Sequence, residues 1–448
     1  MKIIQKQSNL FEQYIPRQAA VAGYYRPSQF LIFDPERDCA LHALTREIVH
    51  LNESEYRIIQ FPKIEYLNDN SIVKELIEKW WLVPVTFDEA SFYNEAYALN
   101  RLVSPENETK RLYKIFTTTA CNARCYYCFE AGTPINTMSC ETAEQVIQYI
   151  LSTRHDKEIK LYWFGGEPLC NTAVISKICA SLKKIGVPFS SDMISNGLLF
   201  QDSLISEAVS VWNLRLCQIT LDGTPERYKQ IKAYVGNVDN PFEKVIGNIH
   251  SLLNAGIAVR IRLNINHDNK EDIIQLKNFL LNEFNDCKNL SIYPAAISSE
   301  WLGYHDPYEP SRNSDMGSIL TEIRKELAGK TESKRFYVSK TLPVSHCMAN
   351  SRHAVVIDPN GDLYTCQGCD KQMRYGNIWD GVLYPEVYEA WKCNDEIREQ
   401  CKTCPYLPEC TAFDKCPSHQ PNCREIMESR MHRRLRNTIE KLCYSERR

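Results

Sequence analysis

The sequence lacks the features of a membrane-spanning or exported chain. No run of 18 or more apolar residues occurs in its 448 residues, so no transmembrane helix is expected. The opening segment MKIIQKQSNLFEQYIP has no apolar stretch that ends in a small-residue cleavage site, which argues against a signal peptide. The formal net charge is only −3, so no strong field favours nucleic acid or a membrane surface. We therefore expect a cytoplasmic protein without a nucleic-acid or membrane partner.

Cysteine, in contrast, is abundant. The chain has 19 cysteines, an odd number, and no visible export signal, which argues against a disulfide framework. Thirteen of them lie within residues 121–128 or 347–443, and clustered thiols in a reducing compartment usually bind metal. The scattered ones are expected to be small buried hydrophobic residues: Cys39, Cys140, Cys170, Cys179, Cys217 and Cys287.

The middle of the chain alternates between apolar strands and helical segments. Such alternation predicts a parallel sheet with crossover helices, and six units favour a partial (β/α)6 barrel similar to a TIM barrel. Functional residues of such a sheet are expected at the C-terminal ends of its strands. The predicted strands are 112–118, 159–164, 191–195, 216–221, 258–265 and 290–296, and the predicted helices lie near 139–153, 171–186, 202–210, 241–255 and 271–285.

The flanking regions have other patterns. Short strands with turns between residues 29 and 51, followed by helical stretches that include 71–80, predict a compact N-terminal module. The last hundred residues hold most of the cysteines. The predicted domains are 1–95 (the module), 96–110 (a linker), 111–302 (the barrel), 303–345 (a bridging region) and 346–448 (a cysteine-rich domain).

One loop carries three cysteines, Cys121, Cys125 and Cys128, in the spacing C-x3-C-x2-C immediately after a predicted strand. Three thiolates on a tight loop can hold three irons of a [4Fe–4S] cluster and leave the fourth iron open. A zinc site is the alternative, but it needs a fourth ligand from a distant residue. Three loop cysteines without any metal are the remaining interpretation.

The loop and four further motifs together resemble the radical S-adenosylmethionine (radical SAM) superfamily. The motifs are FGGEPL at 164–169, SNG at 195–197, TLDGT at 220–224 and VRIRLNI at 259–265, in the expected order at strand ends. The resemblance spans about residues 110–300. It implies that S-adenosylmethionine (SAM) chelates the open iron of the cluster, which answers why the loop has only three cysteines.

The resemblance also implies which residues contact SAM. Gly165 and Gly166 have no side chain, so a ligand can approach the backbone, and Glu167 would accept from the SAM ammonium group. The full set of implied SAM-binding residues is Tyr127, Phe129, Gly165, Gly166, Glu167, Pro168, Ser195, Asn196, Asp222 and Arg262. No general base can be identified, and Asp222, Tyr293 and Glu300 are candidates by position alone.

The chemistry implied by the family is a reductive cleavage of SAM. An electron, supplied by a reductant such as flavodoxin or ferredoxin, breaks the carbon–sulfur bond and gives methionine and a 5′-deoxyadenosyl radical. That radical abstracts a hydrogen atom from the substrate, while the protein positions the cofactor and excludes water.

The C-terminal cysteines resemble a SPASM domain, which carries two auxiliary [4Fe–4S] clusters and would give three clusters in all. By position, the outer cluster would be held by Cys401, Cys404, Cys410 and Cys423, and the inner one by Cys347, Cys366 and Cys416. Cys369 is the best fourth ligand of the inner cluster, Cys393 is a weaker one, and an open site is the third option. Five residues instead of the usual three separate Cys410 from Cys416. A zinc ribbon of Cys366/Cys369 and Cys401/Cys404 is the alternative.

Proteins of this kind mostly modify peptides, and the N-terminal module resembles the winged-helix-like element that binds a leader peptide as an added strand. Strand 47–51 and helix 71–80 are expected to form that groove. The predicted function is therefore a maturase of ribosomally made precursor peptides that installs a thioether, carbon–carbon or carbon–oxygen crosslink. Alternatives are a sulfatase-maturase-like or quinone-cofactor maturase, a capping module without peptide function, and a non-enzymatic iron–sulfur or zinc adaptor.

Overall fold

A computed structural model describes most of the chain as two compact units. The first comprises Met1–Asn107, Lys334–Ser351 and Cys393–Arg448, and the second comprises Glu108–Ser333 and Arg352–Lys392. Within the described residues, no helix has the length and apolar character needed to cross a bilayer. The described residues are 2–6, 24–34, 38–60, 71–103, 109–155, 157–266, 268–297, 323, 337–340, 342, 348–368, 373–392, 397, 399–410 and 423–445.

The second unit is built on a ten-stranded sheet whose first part is the predicted parallel array. Six strands lie in the order in which they occur along the chain, from β7 to β12, and each pairs in parallel with the next. This confirms the partial (β/α)6 barrel. The strands are β7 (Leu112–Thr118), β8 (Ile159–Gly165), β9 (Phe189–Ser195), β10 (Leu214–Leu221), β11 (Ala258–Ile265) and β12 (Leu290–Ala296).

Helices cross between these strands and bury one face of the sheet. Alternate strand residues such as Ile115, Trp163 and Ile219 are fully buried in the core with the helices, so the residues between them lie on the opposite face. Gly186, with φ 85°, ends one of the helices in the left-handed conformation that glycine adopts most easily. The helices are α4 (Cys140–Thr153), α5 (Thr172–Ile185), α6 (Asp202–Ser210), α7 (Pro225–Lys232), α8 (Pro241–Asn254) and α9 (Lys270–Glu283).

Helix α7 was not predicted from the sequence. Its start has a readable signal, because Thr224 occupies the N-cap position and Pro225 the first helical position. Its mean hydropathy is low and only a few of its residues are buried, so the apolar periodicity is weak. This helix is important for the site because it ends at Lys232.

Four short strands extend the sheet beyond β7: β13 (Ala354–Ile357), β14 (Asp362–Tyr364), β15 (Gly376–Asn377) and β16 (Gly381–Val382). Strand β13 runs parallel to β7 and forms a hairpin with β14. Gly361 supplies the turn with φ 85°, a conformation that other residues rarely adopt. Helix α10 (Pro385–Lys392) follows. Cys366 therefore belongs to the unit that carries the barrel.

The first unit contains a four-stranded antiparallel sheet in the order β1–β5–β4–β3. Strand β5 pairs with β1 on one side and with β4 on the other. Strand β1 therefore occupies the side of β5 at which an added peptide strand would pair, and the peptide groove of strand 47–51 and helix 71–80 remains a prediction. The strands are β1 (Lys2–Gln5), β3 (Leu31–Asp34), β4 (Cys39–His42) and β5 (Ile48–His50), with a separate pair β2 (Tyr25–Pro27) and β6 (Leu82–Pro84).

Helices cover this small sheet. Residues of α1 and α2 pack in one core with Val49 and Trp81. A second core joins Leu41 and Tyr93 to the apolar residues of the last helix, including Met431 and Leu435. The helices of this unit are α1 (Glu53–Gln60), α2 (Ser71–Glu78), α3 (Glu89–Val103) and α11 (Cys423–Ser445).

The scattered cysteines only partly match their expected burial. Cys39, Cys179 and Cys217 are buried, as predicted, and Cys287 is half-buried. Cys140 and Cys170 are exposed, so the prediction is wrong for these two. Cys140 begins α4 and Cys170 lies in the short turn after Pro168, and both segments lie at the ends of elements where one side faces solvent.

Candidate functional site

The three-cysteine loop follows β7 directly, at the C-terminal end of the parallel strands, where the fold places functional residues. Cys121, Cys125 and Cys128 are half-buried free thiols. The loop is folded tightly: the Cys128 N–H donates to the Cys125 carbonyl (3.1 Å), and the Ala131 N–H donates to the Cys128 carbonyl (3.0 Å). All three thiols are thus held on one short, ordered segment.

Burial raises the pKa of all three thiols, that of Cys121 to about 12. The thiolate is the metal-binding form, so positive charge from a bound group would have to compensate for this burial. Among the residues with described positions, no three His, Cys, Asp or Glu side chains converge as a single metal ion requires. A [4Fe–4S] cluster engages each cysteine through a different iron, so three loop cysteines can hold three of its four irons.

The two glycines of the FGGEPL motif lie against the strand end that leads into this loop. The Gly166 N–H donates to the Thr118 carbonyl (3.0 Å), and the Glu167 N–H donates to the Ala120 carbonyl (2.9 Å). A Cβ at Gly165 would stand 2.1 Å from the Thr118 carbonyl oxygen, and one at Gly166 would stand 2.5 Å from that of Ala120. Only glycine permits this close approach of the two backbones.

Glu167 connects the glycine motif to the SNG motif. Its carboxylate accepts hydrogen bonds from the Ser195 hydroxyl (2.8 Å), the Asn196 N–H (2.7 Å) and the Leu169 N–H (3.2 Å). Complete burial raises the pKa of Glu167 to about 7, although these donors oppose the rise. Pro168 begins the short turn that follows. The structure therefore brings Glu167, Ser195 and Asn196 together, and their roles in SAM binding remain predictions.

Asn196 in turn reaches the cysteine loop. Its side-chain amide donates to Oδ1 of Asn122 (2.6 Å), the residue after Cys121. The Nδ2 atom of Asn122 is buried and has no hydrogen-bond partner among the residues that the structure describes. Since an unpaired buried donor is costly, this amide is available to an acceptor on a bound group. Asn122 was not predicted from the sequence, because an asparagine in a loop usually forms hydrogen bonds with its own backbone and so gives no signal of a binding role.

Asp222, at the end of β10, belongs to a buried ion-pair network. Its carboxylate accepts from the Tyr127 hydroxyl (2.8 Å) and pairs with Lys232 (2.9 Å). The roles predicted for Asp222 in SAM binding or base catalysis remain predictions, and its carboxylate is already engaged. Lys232 was not predicted, because it lies on the one helix of the barrel that the periodicity missed.

Of the other predicted residues, Phe129 lies in the cysteine loop, and Arg262 and Tyr293 lie on strands β11 and β12. Phe129 stacks on Phe164 with ring centroids 6.1 Å apart. The Arg262 guanidinium donates to Asn264 (2.7 Å), and the Tyr293 hydroxyl donates to Gln218 (2.9 Å). Arg262 and Tyr293 are register neighbours on β11 and β12. Glu300 lies outside the described residues.

The C-terminal cysteines are divided between the two units. Cys366 follows β14 in the second unit, where its sulfur accepts from the Gly368 N–H (3.4 Å). Cys401, Cys404 and Cys410 are half-buried on short helical turns of the first unit, in which Cys423 begins α11. The remaining predicted ligands, Cys347, Cys369, Cys393 and Cys416, lie outside the described residues. The ligand sets of the auxiliary clusters therefore remain predictions.

Comparison with known proteins identifies the barrel. The model of the radical SAM superfamily matches residues 115–280, which contain the cysteine loop, the glycine motif and Asp222. The chain belongs to the radical SAM superfamily. In the superfamily SAM and a [4Fe–4S] cluster supply the radical chemistry, and the cysteine loop, the glycine backbone and Glu167 are the residues of this radical SAM protein that fit them.

Relatives of this radical SAM protein have different substrates. It is 24% identical over 270 residues to a GTP 3′,8-cyclase of Clostridium perfringens, covering 56% of this chain and 79% of the relative. It is 23% identical over 341 residues to a serine-type anaerobic sulfatase-maturating enzyme of Bacteroides thetaiotaomicron, covering 67% and 80%. The structure of Streptococcus suis SuiB bound to precursor peptide SuiA shares its fold, with a TM-score of 0.53, 14% identity and coverage of 88% and 98%.

Proposed function

We propose that this radical SAM protein modifies a ribosomally made precursor peptide. It reductively cleaves SAM, abstracts a hydrogen atom from a residue of the peptide and closes an intramolecular thioether, carbon–carbon or carbon–oxygen bond. The observations that carry the first step are three half-buried thiols on one loop after β7, a glycine backbone packed against the segment that leads into this loop, and the buried Glu167 carboxylate. The peptide substrate is supported more weakly, by the regions outside the barrel.

Two such regions favour a peptide over a nucleotide substrate. The match to the GTP cyclase covers little more than half of the chain, whereas the fold shared with peptide-bound SuiB covers 88% of it. The chain also has an N-terminal module with a small antiparallel sheet and a cysteine-rich C-terminal region. The N-terminal module and the cysteine-rich region are additions to the barrel. The edge of the small sheet in the module is a suitable surface for an extended peptide.

The leader peptide is proposed to bind where β1 now lies. Strand β1 has only four residues, its register with β5 shifts between Ile3 and Gln5, and Ile3 is 43% exposed. At the other edge of the sheet, Asp34 of β3 forms an ion pair with Arg436 of α11 (3.0 Å). A weak edge strand is easier to replace than a strand that a helix holds.

The proposed crosslink removes two hydrogen atoms from the peptide. One leaves with the 5′-deoxyadenosyl radical, and the second leaves as a proton and an electron when the new bond closes. Two auxiliary [4Fe–4S] clusters, held by the C-terminal cysteines, are proposed as acceptors of that electron. A flavodoxin or a ferredoxin is the proposed source of the electron that cleaves SAM.

The test is an anaerobic reaction of the iron-loaded full chain with SAM, dithionite and a candidate precursor peptide, followed by tandem mass spectrometry. We expect 5′-deoxyadenosine and a peptide that has lost two hydrogens. An unchanged peptide mass with 5′-deoxyadenosine present would contradict crosslinking and favour epimerisation. Iron-loaded protein that forms no 5′-deoxyadenosine would leave only a non-enzymatic adaptor.

A second candidate is the modification of a sulfatase-like protein. It is favoured by the relative from Bacteroides thetaiotaomicron, whose alignment covers 67% of this chain. The two candidates differ in their need for a leader. Turnover of a short leaderless peptide at the full rate supports the sulfatase-maturase-like reaction, and loss of turnover without the leader supports the precursor peptide.

A further inference from the structure

A buried lysine lies directly behind the cysteine loop. Lys232 is the last residue of α7 and is 3% exposed. Its Nζ atom lies 2.9 Å from the Asp222 carboxylate and 3.3 Å from the Tyr127 hydroxyl. Tyr127 stands between Cys125 and Cys128 in the sequence. The side chain of Lys232 therefore contacts the loop between two of its three thiols.

The backbone after α7 also holds the loop. The Lys232 carbonyl accepts from the Arg124 N–H (2.8 Å), and the Val235 N–H donates to the Asn122 carbonyl (2.8 Å). The residues that end α7 thus fix both the backbone and the electrostatics of the segment between Cys121 and Cys125. A residue in this position can influence whatever the loop binds without touching it.

The charge of Lys232 is directed at the groups of the site. Its electric field lowers the pKa of Glu167, against the larger effect of burial. Burial disfavours the charged lysine, but Asp222 and Tyr127 outweigh it and raise its pKa well above the usual value. The lysine therefore stays cationic at neutral pH.

Asp222 is the counter-charge of Lys232, and both groups contact the same loop residue: the Tyr127 hydroxyl donates to Asp222 (2.8 Å) and lies 3.3 Å from Nζ of Lys232. Removal of either charge therefore changes the electrostatic potential at the loop, in opposite directions for the two residues. Reduction of an iron–sulfur cluster adds negative charge, which a nearby cation stabilises in a site that excludes water.

We propose that Lys232 is a positioning residue that presents positive charge to the SAM-binding cluster, raises the reduction potential of the cluster and fixes the side chain of Tyr127 within the loop. Asp222 is the counter-charge that limits this effect and keeps the lysine oriented. The proposal rests on the proposed assignment of the loop to a [4Fe–4S] cluster. It does not depend on the identity of the peptide.

The test compares three variants of the reconstituted full chain by redox titration, monitored by the electron paramagnetic resonance signal that changes on addition of SAM. Lys232→Met should shift the midpoint potential to more negative values because the cation is lost. Asp222→Asn should shift it to more positive values because the cation is no longer balanced. Lys232→Arg should remain closest to the unmodified protein.

The opposite signs distinguish an electrostatic role from a structural one. If Lys232 only supported the loop, Lys232→Met and Asp222→Asn would both loosen it and shift the potential in the same direction, or not at all, and either result would overturn the proposal. Iron content per chain shows whether each variant holds its clusters. Should Lys232→Met fail to load, the Asp222→Asn shift decides: a positive shift supports the proposal, and no shift or a negative one refutes it.

A matched control removes another paired lysine of the same unit. Lys160 lies near the start of β8, at the end of the strand opposite to the glycine motif, and pairs with Asp192 (2.7 Å). Lys160→Met should leave the midpoint potential unchanged. The redox titration needs no peptide, so it tests this inference separately from the proposed function. If the peptide is not modified but Lys232→Met and Asp222→Asn still shift the midpoint potential in opposite directions, the proposed function is refuted and this inference stands.

Discussion

The guanidinium of Arg46 forms an ion pair with the Glu409 carboxylate, and both side chains are almost completely buried. Arg46 lies in the turn between β4 and β5, and Glu409 immediately precedes Cys410. Glu409 also accepts from Arg434 of α11 (2.9 Å). One carboxylate thus joins the N-terminal sheet, a cysteine-bearing turn and the last helix within the first unit.

Removal of this carboxylate should destabilise the first unit. Glu409→Gln leaves Arg46 buried without its counter-charge, which costs about 3–5 kcal/mol. Urea denaturation of the full chain, followed by intrinsic fluorescence, measures the loss. The control is Glu399→Gln, because Glu399 pairs with Lys402 at the surface, where solvent screens the pair, and its loss should leave the free energy of unfolding almost unchanged. Equal effects of both substitutions would contradict the account.

Gly166→Ala should prevent the cysteine loop from holding its cluster. The new Cβ would stand 2.5 Å from the carbonyl oxygens of Thr119 and Ala120, so the segment that leads into Cys121 must shift. We expect a lower iron content per chain and weaker SAM binding after anaerobic reconstitution.

The control is Gly247→Ala, within α8, where an added Cβ meets no atom within 4 Å. This substitution should leave iron content unchanged and stabilise the helix by about 0.5–1 kcal/mol. Full iron loading of Gly166→Ala would show that the two backbones need not approach so closely.

The stability of the first unit should fall in mild acid because of His42. Burial lowers the pKa of this histidine from 6.5 to about 4, so the folded state keeps it neutral while the unfolded state takes up a proton below about pH 6.5. Its contribution is complete above pH 6.5 and is lost as the pH falls towards 4, by at most about 3 kcal/mol. Urea denaturation at several pH values measures the difference between the unmodified protein and His42→Gln, which should shrink over this range; a constant difference would refute the assignment.

Removal of β1 tests the recognition edge. A variant that lacks residues 1–6 exposes the side of β5 that β1 now covers. If the leader replaces β1, fluorescence anisotropy with a labelled candidate precursor should show tighter binding to this variant. If the leader instead adds outside β1, binding should be lost. Retained 5′-deoxyadenosine formation with SAM and dithionite checks that the barrel is unaffected.

The sequence predicted the barrel well because its strands are short apolar runs separated by turn residues. The predicted strand 258–265 has the bounds of β11, and 290–296 those of β12. Helix α7 was missed because few of its residues are buried, although Thr224 and Pro225 mark its start. The missed helix explains why Lys232 was absent from the predicted site.

Pairing between distant segments could not be predicted in the same way. Strand β1 is separated from β5 by more than forty residues, and nothing in KIIQ specifies its partner. The engagement of Asp222 by Tyr127 and Lys232 likewise depends on how the loop folds back onto α7. The order of the motifs in the sequence identified the residues at the strand ends. The hydrogen bonds between these residues could be seen only in the structure.

The most direct test of the central claim is the formation of 5′-deoxyadenosine by the iron-loaded protein with SAM and dithionite under strict anaerobiosis, measured by liquid chromatography and mass spectrometry. The account predicts 5′-deoxyadenosine from the unmodified protein and none after Cys121, Cys125 and Cys128 are replaced by alanine. Cys401→Ala or Cys404→Ala should retain some SAM cleavage while impairing peptide product. No 5′-deoxyadenosine from the fully loaded unmodified protein, or equal amounts from the triple variant, would contradict it.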